Sequence, residues 1–142
     1  MLRVLILALA LVLAIGLVPG AAGTGYQVIA NPTVTVSSLS AKKVSAMFLK
    51  KTTEWPDGTQ VVPVDRTMGS PVREDFSRGV HRKSASAIHA YWQKQIFGGI
   101  DLPPLAKSTD AEVVAFVKAT PGAIGYVASG ADASGVKVIA VR

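Results

Sequence analysis

Four residues in one short stretch have the types and spacing to hold an anion. They are Arg66, Gly69, Ser70 and Arg73, within Val64-Asp65-Arg66-Thr67-Met68-Gly69-Ser70-Pro71-Val72-Arg73-Glu74-Asp75-Phe76. Two guanidiniums supply fixed charge and forked donors, and the serine supplies a hydroxyl. Gly69 permits a sharp turn and the close approach of another group to the backbone. Ser70 followed by Pro71 is the pattern of a helix start, where unpaired amides and the positive end of a helix dipole meet. With both arginines facing that point, the stretch is an oxyanion seat. The same junction is also an ordinary connection in α/β proteins, in which a capping serine binds nothing.

The rest of the chain offers little other chemistry. The only two histidines, His81 and His89, lie eight residues apart. That spacing matches no metal-ligand pattern, so they read as surface or helix-end residues. Asp65, Glu74 and Asp75 crowd the turn, but the adjacent arginines make them salt-bridge partners rather than general acids or bases. No nucleophile elbow, Walker loop or dinucleotide fingerprint occurs. The sequence therefore reads as a non-enzyme without a cofactor. With 0 Cys, a disulfide scaffold, a thiolate nucleophile and a cysteine-based metal centre are all excluded.

Charge and length narrow the class further. The 142 residues suffice for one domain with a real core. Fifteen Lys+Arg stand against 9 Asp+Glu, a formal net charge of +6. This excess favours an anionic partner or surface. The cations are too dispersed, and the aromatics too few, for a nucleic-acid platform. Lys42-Lys43, Lys50-Lys51 and His81-Arg82-Lys83 read as solvated helix faces and helix C-termini, where cations complement the dipole.

The elements that must position the turn follow from periodicity and punctuation. Residues 1–22 read as a secretory signal peptide: Arg3, an apolar run from Val4 to Val18, then Pro19-Gly20 and small residues. An uncleaved anchor is the alternative, although the apolar run is shorter than the about 20 residues of a bilayer span. Residues 23–142 form the domain. Tyr26–Ala30 predicts a first strand, and Thr33–Ser37 an extension or edge segment. Ser40 caps a helix to about Lys50 with Val44, Met47 and Phe48 inward. Trp55 seals the core before the Pro56-Asp57-Gly58 turn.

The strand Val61–Val64 leads to the glycine turn and to a helix from Pro71 to about Val80. Ser84 or Ser86 caps a further helix lined by Ile88, Trp92 and Ile96 and ended by Gly98-Gly99. Asp101–Lys107, with Pro103-Pro104, is an extended linker. Thr109-Asp110-Ala111-Glu112 is a capping box opening a short helix. Ala123–Val127 and Val136–Val141 complete the strands. Alternating elements give α/β, with one central mixed sheet of about four to five strands flanked by about four helices.

Taken together, Trp55-Pro56-Asp57-Gly58, Pro63-Val64-Asp65-Arg66, Gly69-Ser70, Tyr91-Trp92 and Pro121-Gly122-Ala123-Ile124-Gly125-Tyr126-Val127 resemble the phosphate-binding proteins of ABC transporters. These belong to the type II periplasmic solute-binding superfamily. The likeness spans Tyr26 to Val127 and is greatest to short secreted relatives of about one lobe. It implies a single periplasmic-binding-protein-like lobe, periplasmic or secreted.

In that family two lobes close around phosphate, and one supplies an arginine and a Gly-Ser-Gly-Thr turn. By position these implicate Arg66, Gly69 and Ser70, with Arg73 adding charge. The family's aspartate falls on Met68, and its Gly-Thr on Pro71-Val72. The implied ligand is phosphate or a related oxyanion. The implied partners are an ABC transporter permease or another envelope protein, or a second copy completing the site. The competing expectation is an envelope interaction module that keeps the fold without the ligand, its arginines paired with Asp65, Glu74 or Asp75.

Overall fold

Tyr26–Ala30 (β1) is the hydrogen-bonded centre of the molecule, in a computed structural model that describes residues 25–142. The expected signal peptide, 1–22, lies outside the described residues. Around β1 the chain lays down Ser38–Leu39 (β2), Ala41–Phe48 (α1), Val62–Arg66 (β3) and Pro71–Phe76 (α2). Then come Ala85–Phe97 (α3), Leu105–Lys107 (β4), Asp110–Ala119 (α4), Ala123–Ala128 (β5) and Lys137–Val141 (β6). The six strands form one mixed sheet in the order β2-β6-β1-β5-β3-β4. β1 runs antiparallel to β5 and β6, whereas β3 is parallel to both β5 and β4. The two strands beyond the expected number are β2, of 2 residues, and β4, of 3 residues. Both are too short to show a period-2 pattern.

Two apolar layers sandwich the sheet. On one face α1 and α2 bury Val44, Met47, Phe48, Val72 and Phe76 against Val28, Ile124, Tyr126 and Ile139. Phe76 stacks flat on Tyr126, with ring centroids 3.8 Å apart, and Phe48 packs against both rings. On the other face α4 sets Val113 and Val117 over Ile29, Val64 and Val127.

The caps follow the sequence. Ser40 accepts from the Lys43 amide, Ser84 from the Ala87 amide, and Thr109 with Glu112 closes a reciprocal capping box. Buried Asn31, just after β1, donates to the Val117 and Lys118 carbonyls and so satisfies the end of α4. Trp55 is buried as expected, its indole N–H donating to the Gly122 carbonyl at 2.8 Å.

Two elements depart from the expected pattern. The helix after the glycine turn runs to His81, but its last five residues, Ser77–His81, are π-helical. A Cβ on Gly79 would stand 2.5 Å from the Tyr26 hydroxyl, so the ring of β1 presses directly on this widened turn. In α3, Ile88 and Trp92 are buried, but Ile96 and Phe97 are exposed, because no layer of the described residues covers the final turn.

His81 ends its helix as expected, yet it is largely buried, with Nδ1 2.7 Å from the Ser45 hydroxyl and the Phe76 ring edge-on. Burial pushes its pKa down to about 4, opposed by Asp65 and reinforced by Arg73 and Lys83. Below about pH 6.5 the unfolded chain takes up a proton that the folded chain refuses until about pH 4, so stability falls as pH falls through that window. The expected loss between pH 7 and pH 4.5 is about 2 kcal/mol after allowance for partial exposure. Urea unfolding of wild type and His81→Gln at both pH values reads it as the difference between the two. Parallel losses in the two proteins would remove His81 as the cause.

Candidate functional site

β3 alternates sides as any strand does, and this decides where the basic residues of the junction go. Asp65 points to the α1/α2 face, where its carboxylate accepts from the Tyr126 hydroxyl and, at 2.8 Å, from the Arg66 amide. Arg66 points to the α4 face. Its guanidinium pairs with the Asp110 carboxylate and donates to the Ser108 carbonyl at 3.1 Å. Its Nε is buried with no hydrogen-bond partner among the described residues. Arg73, one turn into α2, folds back to donate to the Arg66 carbonyl at 2.6 Å and stands 3.7 Å from Asp65. Burial, with Asp65 adding to it, raises the Tyr126 hydroxyl far above its ordinary pKa, so it remains a donor to that carboxylate.

Gly69 has φ +85° and a Cβ there would meet nothing within 4 Å, so glycine serves the turn conformation and not a close packing contact. Ser70 occupies the N-cap position, but its hydroxyl makes no capping bond; its carbonyl accepts from the Arg73 amide instead. The hydroxyl is thus not committed to the helix. α2 is only 6 residues long, which limits any dipole contribution.

The junction therefore gathers Arg66, Gly69, Ser70 and Arg73 in space, but the guanidiniums do not converge on one point. Each is engaged by a carboxylate, on opposite faces of the sheet. Of the two arginines, Arg73 borders a cavity of about 290 Å³, together with Asp65, Thr67, Met68, His89 and Trp92.

The contribution of Asp110 was accessible in part from sequence, since the capping box places it at the first position of α4. Its pairing with Arg66, 44 residues away, carries no local signal. Tyr126 and Trp92 read only as core. Among the described residues no group of three or more His, Asp or Glu is placed to hold a metal ion, and no helix is long and apolar enough to cross a membrane.

A mixed sheet with helices on both faces, and a basic glycine turn leaving a strand that is parallel to its two neighbours, is the architecture of a single lobe of a periplasmic-binding-protein-like fold. Solved structures share this fold. The chain is similar to an ABC-type phosphate transport receptor from Vibrio cholerae, with TM-score 0.65 and 17% identity over 82% of this chain and 46% of that one. It is similar to a phosphate ABC transporter substrate-binding protein with bound phosphate from Clostridium perfringens, with TM-score 0.61 and 20% identity over 82% and 44%. It is also similar to PstS from Borrelia burgdorferi, with TM-score 0.56 and 11% identity over 82% and 47%. The chain spans less than half the length of these proteins. No protein-family model and no curated protein matches it.

Proposed function

We propose that this chain is a solute-binding-protein-like domain of the periplasm or cell exterior, linked to phosphate ABC transport, that takes phosphate or a related oxyanion at the β3–α2 junction. The observation that supports this reading is Arg73 bordering a cavity with Thr67 and Met68, the residues that lead into the Gly69–Ser70 turn, at the C-terminal end of a parallel strand; Gly69 and Ser70 themselves do not line it. Open α/β sheets take their ligands at that end of the strands. Arg73 supplies charge, the Ser70 hydroxyl and the Thr67–Ser70 turn supply donors, and Arg66 adds positive potential from behind. An incoming anion competes with Asp65 and Asp110, so affinity in a single lobe is modest. A permease or another envelope protein is the proposed downstream partner.

A second reading is favoured by one observation: both arginines already have carboxylate partners. In it the chain is an envelope interaction module that keeps the fold but takes no ligand. Calorimetric titration with phosphate and then sulfate at low salt separates the two. Saturable phosphate binding is expected, weakened about tenfold in Ser70→Ala, since a hydrogen bond to a charged group contributes about 1.5–3 kcal/mol. The Ser70 hydroxyl makes no capping bond, so this variant leaves the fold intact. No saturable heat at millimolar phosphate in folded protein would overturn the binding reading and leave the second.

A further inference from the structure

Cations that look dispersed along the sequence come together in the fold. Residues 39–53 and 76–100 hold eight of the 15 Lys+Arg and none of the 9 Asp+Glu, so these two stretches carry +8. The rest of the chain, with seven cations and all nine acids, carries −2. α1 and α3 both pack on the π-helical turn Ser77–His81, which brings the two stretches together.

Two neighbouring hollows, of about 230 and 310 Å³, open along this contact. Lys51 and Lys83 border the first, Lys42 and Arg82 the second. The Ser45 hydroxyl and His81, 2.7 Å apart, border both and so join them into one groove. No Asp or Glu lines either hollow. Among the described residues none of the four cations, all exposed, has a salt-bridge partner. The β3–α2 junction is the opposite case, because both of its arginines are held by carboxylates. The first hollow is also partly apolar, since Leu49, Ile88 and Tyr91 line it beside the two lysines.

We propose that this groove docks a short acidic segment of a partner protein. Its carboxylates meet Lys42, Lys51, Arg82 and Lys83, and an aliphatic side chain between them enters the hollow beside Lys51 and Lys83. Charge complementarity sets the sign of the occupant and steers its approach. Shape favours a chain over a flat anionic bilayer, since hollows of this size receive protruding side chains. The apolar lining favours a peptide over an inorganic polyanion, which has nothing to bury against Leu49 and Ile88. Tyr91 is the one aromatic residue bordering the groove, too little to stack successive bases of a nucleic acid. At about 1.5 Å per residue α1 is about 12 Å long, the span of about four extended residues. The inference does not depend on the junction holding an anion.

Fluorescence anisotropy tests it, with a labelled peptide of four glutamates around a central leucine and the full chain titrated from about 1 to 500 μM at low salt. Saturable binding is expected, at least tenfold weaker at about 0.2 M salt. Lys51→Glu with Lys83→Glu is expected to weaken it at least tenfold, and both side chains are exposed, so melting should match wild type. Lys107→Glu with Lys118→Glu removes the same charge from residues that line neither hollow, and should change binding less than threefold. A peptide with glycine in place of leucine is expected to bind about tenfold more weakly. Ser70→Ala should have no effect, which separates this groove from the junction. Absence of saturable binding overturns the proposal, as does equal weakening by the two double variants or indifference to the leucine. A groove that takes tripolyphosphate but not the peptide also overturns it.

Discussion

Asp65→Ala is expected to cost about 3–5 kcal/mol, the penalty for removing one partner of a buried ion pair. For a domain of this size that lowers the melting temperature by about 10–20 °C. Asp65 and Arg73 are both buried. The loss takes a partner from three groups at once, the Arg73 guanidinium, the Tyr126 hydroxyl and the Arg66 amide; Arg73 keeps only the Arg66 carbonyl and the Arg66 amide only a long contact of 3.4 Å to the Tyr126 hydroxyl. An unsatisfied buried donor costs about 1–3 kcal/mol by itself, and more when charged. Tyr126→Phe removes one donor while keeping the ring stacked on Phe76, so it should cost about 1–2 kcal/mol. Urea unfolding with a common m-value reads both. A cost below 1 kcal/mol for Asp65→Ala would mean that Arg73 finds water once the carboxylate is gone, and that the network does not hold the junction in place.

The second large effect is expected at Gly122. Its φ is +77°, and a Cβ would stand 2.1 Å from the Gln60 carbonyl oxygen, a backbone atom that cannot swing aside. The Gly122 carbonyl also accepts from the Trp55 indole and from the Val62 amide, where β3 begins to pair with β5. Gly122→Ala therefore forces apart the segment that seats both Trp55 and β3. A loss of at least about 4 kcal/mol is expected, enough to abolish a cooperative transition in a domain whose total stability is about 5–15 kcal/mol. Gly69→Ala is the control. Its φ is +85° but its Cβ position is open, so only backbone strain of about 1 kcal/mol applies. Equal costs at the two glycines would show that the backbone at Gln60 yields easily and that the close approach is not what requires glycine at 122.

What could be read from sequence was whatever is encoded locally. Ser40, Ser84 and the Thr109–Glu112 box announced three helix starts, because capping is a matter of residues three apart. Trp55 before a Pro-Asp-Gly turn announced a lid on the core. β4 stayed hidden because 3 residues after Pro103-Pro104 leave no room for a pattern. The exposure of Ile96 stayed hidden because the helical spacing of Ile88, Trp92 and Ile96 records a face but not how far a covering layer extends. At the junction, the places of Arg66, Gly69, Ser70 and Arg73 on strand, turn and helix could be read from local pattern. Their partners could not: Asp65 and Arg66 are adjacent in sequence and leave the strand in opposite directions, one toward Tyr126, the other toward Asp110. The expectation that the arginines meet at a point failed on that alternation.

The placement of β1 sets an order of events for the folding chain. The first strand sits near the middle of the sheet, and its neighbours are the last two: Val28 lies opposite both Tyr126 and Ile139. A growing polypeptide must carry β1 unpaired until β5 and β6, about a hundred residues further along, have followed. Helices α1 and α3 can form early from local contacts, but the sheet closes only when the final segment arrives. Loops of about a hundred residues must close at that moment, which makes folding slow for a domain of this length and concentrates the risk of mispairing in the interval before it.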